Sequence, residues 1–207
     1  VNSQYMLITL LEAPLLGLIL AYFSKFIRTS VNSSQLYTLV DNKNIPAFFF
    51  MSVIVALFLG MVVSAEEIIK DRKILKRESF LNLSRTSYIN AKVIGLLLLS
   101  AVQTFLYTWV ASSILEINFM LFENWLVLFS LAFSANILGL NISSALNSVV
   151  NVYILIPFVL VPQLLLSGVV INFNDLHPRL SNPEYVPVTG DVMASRWGFE
   201  ALMVNQY

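Results

Sequence analysis

The chain has 207 residues, of which 57% are apolar and only 12% charged, with a mean hydropathy of +0.78. Ordinary soluble domains carry about a quarter charged residues, so this deficit, together with several apolar runs of about twenty residues, places the chain in a membrane. Zero net charge points to neither nucleic acid nor an acidic partner, the lack of cysteine excludes disulfides and thiol chemistry, and one histidine, His177, leaves little scope for a metal cluster or a catalytic relay.

Val1 is not a methionine and Gln206-Tyr207 is not a charged tail, so the sequence reads as a region of a longer polypeptide. The first apolar run has no basic segment before it and no small-residue cleavage site after it, so no cleavable signal peptide is expected. That run, Tyr5 to Phe26, is the first span. Pro14 removes a backbone donor and is expected to kink it. Glu12 lies beside it, and an acid inside a span costs about 2.5–3.5 kcal/mol on insertion scales. Two readings stand: Glu12 near the cytoplasmic boundary, snorkelling or facing other helices, or Glu12 in a transport path.

Thr29 to Pro46 is polar and turn-prone and reads as an external loop, with a glycosylation sequon at Asn32-Ser33-Ser34. Ala47 to Ala65 is the second span. It runs into Glu66–Lys92, which carries seven of the chain's twelve Lys and Arg residues against Glu66, Glu67, Asp71 and Glu78. A basic island between two spans is what the positive-inside rule places in the cytoplasm. No Gly or Pro separates Ser64 from Arg77, so the helix is expected to continue beyond the bilayer. Asn82 and Ser84 then break the pattern, Ser84, Thr86 or Ser87 is expected to cap the next helix, and Ser79 to Leu83 is left as a short connecting helix or turn. The island either sets topology alone or receives force from a soluble partner.

Val93 to Leu115 is the third span. The connection Glu116 to Asn124 has no Lys or Arg, which suits an outside loop. Trp125 to Leu146 is the fourth span, with Trp125 expected at the interface. Its Asn136 and Asn141, among Ser134, Ala135, Gly139, Ser143 and Ser144, suit close helix packing with amides bonding across the contact, or else ligand contact. Val149 to Val170 is the fifth span, broken by Pro157 and Pro162. Residues 171–207 are too polar to span and too apolar for a free loop, and should lie on the outer surface, partly dipping into it. The expected fold is therefore all-α: a polytopic membrane domain with five transmembrane helices, the N-terminus inside, a cytoplasmic loop over 66–92, an external re-entrant-like segment over 171–207 and a sixth span beyond Tyr207.

Three stretches carry a resemblance. Glu66 to Lys92, with Arg77-Glu78, a short connecting helix, Ser87-Tyr88 and Lys92, resembles the first intracellular loop of ABC-2 type permeases of the ABCG (White/pigment) half-transporter group. Leu166-Ser167-Gly168-Val169-Val170-Ile171-Asn172 is similar to that group's Phe-Ser-Gly-Leu-Leu-Val-Asn segment. Ser195-Arg196-Trp197-Gly198-Phe199-Glu200-Ala201-Leu202 is similar to its Pro-Arg-Tyr-Gly-Phe-Thr-Ala-Leu segment.

The resemblance implies a permease domain that works as a homodimer, or with a related half-transporter, in membrane lipid. It is driven by an ATP-binding cassette domain that usually precedes it on the same polypeptide. ATP and Mg²⁺ would belong to that domain, since no phosphate-cradling G-x-x-x-x-G-K-[ST] loop occurs here. Arg72, Lys73, Arg77 and Glu78 would lie at the ATPase interface, with Ser79, Phe80 and Leu81 on the coupling helix. Phe58, Leu59, Val161 and Leu164 would line the substrate cavity, and Val169 and Val170 would plug its outer exit. The group's cavity aromatic falls at Leu59, beside Phe58, and its external cysteines are missing, which favours a bacterial relative in the inner membrane. The implied function is export of an amphipathic or lipid-like substrate. The alternative is a non-transporting scaffold that docks a cytoplasmic protein on the basic loop. An intramembrane enzyme fits poorly, because no paired acids fall within the spans.

Overall fold

The computed structural model describes residues 3–25, 44–78, 84–117, 120–171, 173 and 186–206. The sequon Asn32-Ser33-Ser34, most of the expected external loop, Ser79–Leu83 and His177 lie outside them.

Eight helices make up the described chain: α1 (Ser3–Ser24), α2 (Ile45–Ala65), α3 (Glu67–Glu78), α4 (Arg85–Leu115), α5 (Leu121–Ala145), α6 (Val149–Leu165), α7 (Val188–Asp191) and α8 (Ala194–Val204). Among the described residues, four helices are long and apolar enough to cross a membrane, formed by α1, α2 running on into α3, α4 and α5. The fifth expected span is shorter than Val149–Val170. Its helix α6 has 17 residues and stops at Leu165, ahead of Gly168, whose φ of +79° suits a residue without a side chain. At 1.5 Å per residue α6 is about 26 Å long, the lower limit for a span. By contrast α4, with 31 residues, is about 46 Å long and exceeds the roughly 30 Å of hydrocarbon. Its first two turns, Arg85–Lys92, carry its charged residues, Arg85 and Lys92. Ser84 caps this helix by accepting from the Ser87 N–H at 3.5 Å, which settles the choice among the three candidates.

What holds the spans together follows from the lack of a hydrophobic driving force between helices in lipid: small residues must let backbones approach. On α2, Ser52, Ala56, Gly60 and Ser64 recur every four residues and are all buried. Gly60 and Ser64 meet Ala132, Ala135 and Gly139 on α5, where a side chain at Gly60 would collide with the Ala132 carbonyl and one at Gly139 with Ser64. A second stripe, Thr9, Ala13, Gly17 and Ala21, lays α1 on α4, and a Cβ on Gly17 would come within 3.0 Å of the Tyr107 carbonyl oxygen. The helix runs through Pro14 without interruption. As a result α2 is the most enclosed of the long spans, whereas α1 turns Leu7, Ile8, Leu11, Leu15, Tyr22 and Phe23 outward.

Many polar groups in this core are matched, whereas Asn124 Oδ1 and Asn136 Oδ1 are buried without a hydrogen-bond partner. Gln103 Nε2 donates to the Thr9 carbonyl at 2.8 Å, and the Tyr107 hydroxyl donates to Ser52 Oγ at 2.7 Å, whose own hydroxyl donates to the Phe48 carbonyl. Thr104 and Thr108 bond back to the carbonyls four residues before them, at 2.7 Å each. Asn136 Nδ2 donates to Ser100 Oγ across the α4–α5 contact and also reaches the Leu96 carbonyl at 3.4 Å, a packing role that its partner in the sequence pattern, the exposed Asn141, does not share. Trp125 donates to the Ala101 carbonyl at 3.1 Å and begins a ring ladder through Phe129 to Phe133.

Glu12 lies on α1, six residues beyond Met6, which lines the same cleft as Lys92 and Gly95. It is half-buried between Thr9 and Gly17, at the depth of Gln103–Tyr107.

The glycine contacts make a direct prediction. Gly60→Ala should destabilise the folded domain by about 1–3 kcal/mol through overpacking, read as a lowered thermal midpoint in detergent or nanodiscs. Gly95→Ala, where a Cβ meets nothing within 4 Å, should leave the midpoint at or slightly above the parent value. Equal effects of the two substitutions would contradict the α2–α5 packing.

Candidate functional site

The basic island folds into α3, separated from α2 by a single turn residue, Glu66, whose φ of −95° and ψ of −14° keep it in the helical region. The helix carries Glu67 in its first turn and Lys76 and Arg77 in its last, the arrangement that suits the helix dipole. Its position is fixed on three sides.

Toward α4, Lys92 Nζ lies 2.6 Å from Glu67 Oε2 and 2.7 Å from Asp71 Oδ2, and the Tyr88 hydroxyl donates to Asp71 Oδ2 at 3.0 Å. Burial alone would lower the Lys92 pKa, but the hydrogen bonds to Asp71 and Glu67 outweigh it and hold the value above that of an ordinary lysine. Burial, then the hydrogen bond to Asp71, pushes the Tyr88 phenol up to about 12. Because the Lys92 value is raised, its stabilisation is complete below the unfolded value of about 10.4 and is lost only as pH rises through the folded one. The cluster is therefore fully formed at neutral pH.

Toward α5, Ser143 Oγ accepts from the backbone N–H groups of Ile68 and Ile69, at 3.2 and 3.3 Å. These belong to the first turn of α3, where N–H groups have no partner within the helix. One turn on, the Arg72 guanidinium grips the α5–α6 connection, donating to Asn147 Oδ1 and, at 2.9 Å, to the Ser144 carbonyl. Toward α6, the Tyr153 hydroxyl donates to Glu66. Burial would raise the Glu66 pKa, but the bonds from Lys70 and Tyr153 outweigh it and keep the value low.

The expected site residues thus separate into groups. Arg72 points its charge into the membrane domain, onto the α5–α6 turn. Arg77 is exposed on α3, and Lys73 and Glu78 lie on the same helix. Ser79, Phe80 and Leu81 lie outside the described residues. In the spans, Leu59 is 3% exposed and belongs to the core, whereas Phe58 beside it is 37% exposed. Val62 packs with Val152 and Ile156 between the antiparallel α2 and α6. Phe58, one turn outward on α2, therefore shares the level of Leu160 and the exposed Val161 on α6, with the half-buried Leu164 a further turn out. Val169 and Val170 lie in the turn beyond α6, 36% and 51% exposed.

Sequence reasoning did not reach Ser143, Ser144, Asn147 and Tyr153 as anchors of α3. They are 72 to 87 residues from their partners, and their one signal is a cluster of polar side chains at the cytoplasmic ends of the fourth and fifth spans.

The described residues form an all-helical bundle with four helices long and apolar enough to cross a membrane, to which α3 is bonded through Lys92, Ser143 and Arg72. The chain belongs to the ABC-2 type transporter family, whose model matches residues 2–207. It is the integral membrane domain of an ABC-type transporter, of a family that partners with ATP-binding cassette domains. No curated protein matches the chain.

Removing the cation from the α3–α4 cluster leaves two carboxylates without their shared partner. Lys92→Met should cost about 1–2 kcal/mol, allowing for partial exposure of the group, and a double-mutant cycle with Asp71→Asn should give a coupling energy of about 1 kcal/mol in thermal or denaturant unfolding. Strict additivity of the two substitutions would contradict the cluster.

Proposed function

We propose that this domain is the permease half of an ABCG-like exporter that moves an amphipathic or lipid-like substrate by alternating access in a dimer, in a bacterial inner membrane. ATP and Mg²⁺ would be held by the cassette domain, N-terminal on the same polypeptide. That domain docks on Arg77, Lys73, Glu78 and the Ser79–Leu83 segment. The observation that carries the reading is the bonding of α3 to α4, to the α5–α6 turn and to α6. Force arriving on α3 then reaches the two helices, α2 and α6, that present Phe58 and Val161. A second copy is supported by the outward stripe of α6, Val150, Ile154, Phe158, Val161 and Leu165, an unbroken apolar face that suits a cavity wall against a partner. Because Leu59 is enclosed in the core, Phe58 takes its place as the α2 lining residue, which restores an aromatic to the cavity. The apolar lining suits substrates with a large hydrocarbon part.

Arg72 has a different role from the exposed Arg77: it ties α3 to the membrane helices, while Arg77 and Glu78 would contribute to the motor interface. The test is ATP hydrolysis and substrate export by the full-length protein in lipid. Neutralising Arg77 and Glu78 together should abolish substrate-stimulated hydrolysis, with normal insertion. Arg72→Ala should leave hydrolysis within about twofold of the parent but lower export about tenfold, a coupling of about 1.4 kcal/mol. Undiminished stimulation in the Arg77/Glu78 variant would remove the motor interface from α3, and a parent that hydrolyses no ATP with any subunit would favour the docking scaffold.

A further inference from the structure

The last turn of α6 leaves carbonyl groups without helical partners, and in an apolar setting each needs one from elsewhere. The Leu166 N–H takes the Pro162 carbonyl at 2.9 Å, and the Ser167 hydroxyl takes that of Leu164 at 2.8 Å. The Gln163 carbonyl is taken from outside the helix, by the hydroxyl of Ser195 at the start of α8. In return the Gln163 side chain swings onto α8, where its Oε1 accepts from the Ser195 backbone N–H at 3.1 Å. Ser195 is fully enclosed and Gln163 is 8% exposed, so this two-way pair works out of contact with water.

A second contact joins the turn beyond α6 to α7. The Phe173 ring is wedged between Gly168, in the turn that carries Val169 and Val170, and Gly190 on α7. A Cβ on Gly168 would strike the ring, and one on Gly190 would lie 3.0 Å from it. Meanwhile α8 is fixed to the inner bundle: Leu202 is fully buried in the core, Gly198 fits against Leu131 of α5, and Phe199 meets Phe50 of α2 edge to face, 6.0 Å between centroids. The outer turn beyond α6 is thus clasped to a helix that belongs to the α2–α5 block.

We infer that Gln163 and Ser195 are positioning residues for the outer exit, a latch that keeps Val169 and Val170 over the cavity until α6 and the α2–α5–α8 block separate. This rests on the proposed transport reading and adds to it what holds the exit closed. Hydrogen bonds suit such a role, because a buried pair of this kind has one favourable geometry and is lost over a small displacement.

The test uses the full-length transporter in proteoliposomes with Val161→Cys as a reporter, any cysteine outside these 207 residues being replaced by serine. A membrane-impermeant maleimide is applied to the outer face without nucleotide. Ser195→Ala and Gln163→Met keep the side-chain volumes nearly unchanged, so each variant alone decides. Either should raise the outer-face labelling rate about fivefold or more, the change expected from losing roughly 1 kcal/mol of closure, with unchanged labelling from the cytoplasmic face. An unaltered outer rate in either folded variant overturns the latch while leaving the transport reading intact. A reporter that reacts from neither face in any nucleotide state removes Val161 from a cavity and overturns both.

Discussion

The structure depends on how closely α2 and α5 approach. In lipid, helices gain little from hiding apolar surface from one another, and their association rests on contact between backbones and small side chains. Ser52, Ala56, Gly60 and Ser64 on one helix and Ala132, Ala135, Gly139 and Ser143 on the other make a seam with no room for a further methyl at Gly60 or Gly139. The other elements are set by this pair. The helix α8 packs on both members of it, α6 lies along α2, and α1 reaches the bundle largely through α4.

The same seam decides what happens at the cytoplasmic face. Ser143 is the last small residue of the α5 stripe and also the acceptor for two backbone donors of α3, so the close approach of α2 and α5 delivers the start of the basic helix to a partner. Arg72, Lys92 and Tyr153 then fasten its sides. These bonds join the α3 segment to α4, α5 and α6. At the outer face the relation is reversed, since α6 is held by α8 and through it by the seam. The two ends of α6 are therefore governed by different bonds, to charged partners at the α3 end and neutral and enclosed at the α8 end.

The all-α membrane class and the four longer spans were legible in the sequence because hydropathy acts over whole segments. The Ser84 cap was legible as one of three neighbouring candidates. The length of α6 was not, because the apolar run extends to Val169 and Val170, past the point where the backbone turns at Gly168. Leu59 and Phe58 are adjacent, and only packing says which faces the core. The anchors of α3 and the Gln163–Ser195 pair join residues far apart in the chain, and a single sequence carries no sign of such pairs.

The central claim is that α3 and the cytoplasmic end of α5 move as one body. Cysteines at Ile68 and Ser143 in the full-length transporter, oxidised to a cross-link and then reduced, test it most directly. The account predicts that export and ATP hydrolysis are the same in the cross-linked and reduced states, because the bond spans a contact that does not open during the cycle. Export abolished by oxidation and restored by reduction would show that α3 slides on α5, and would contradict the account.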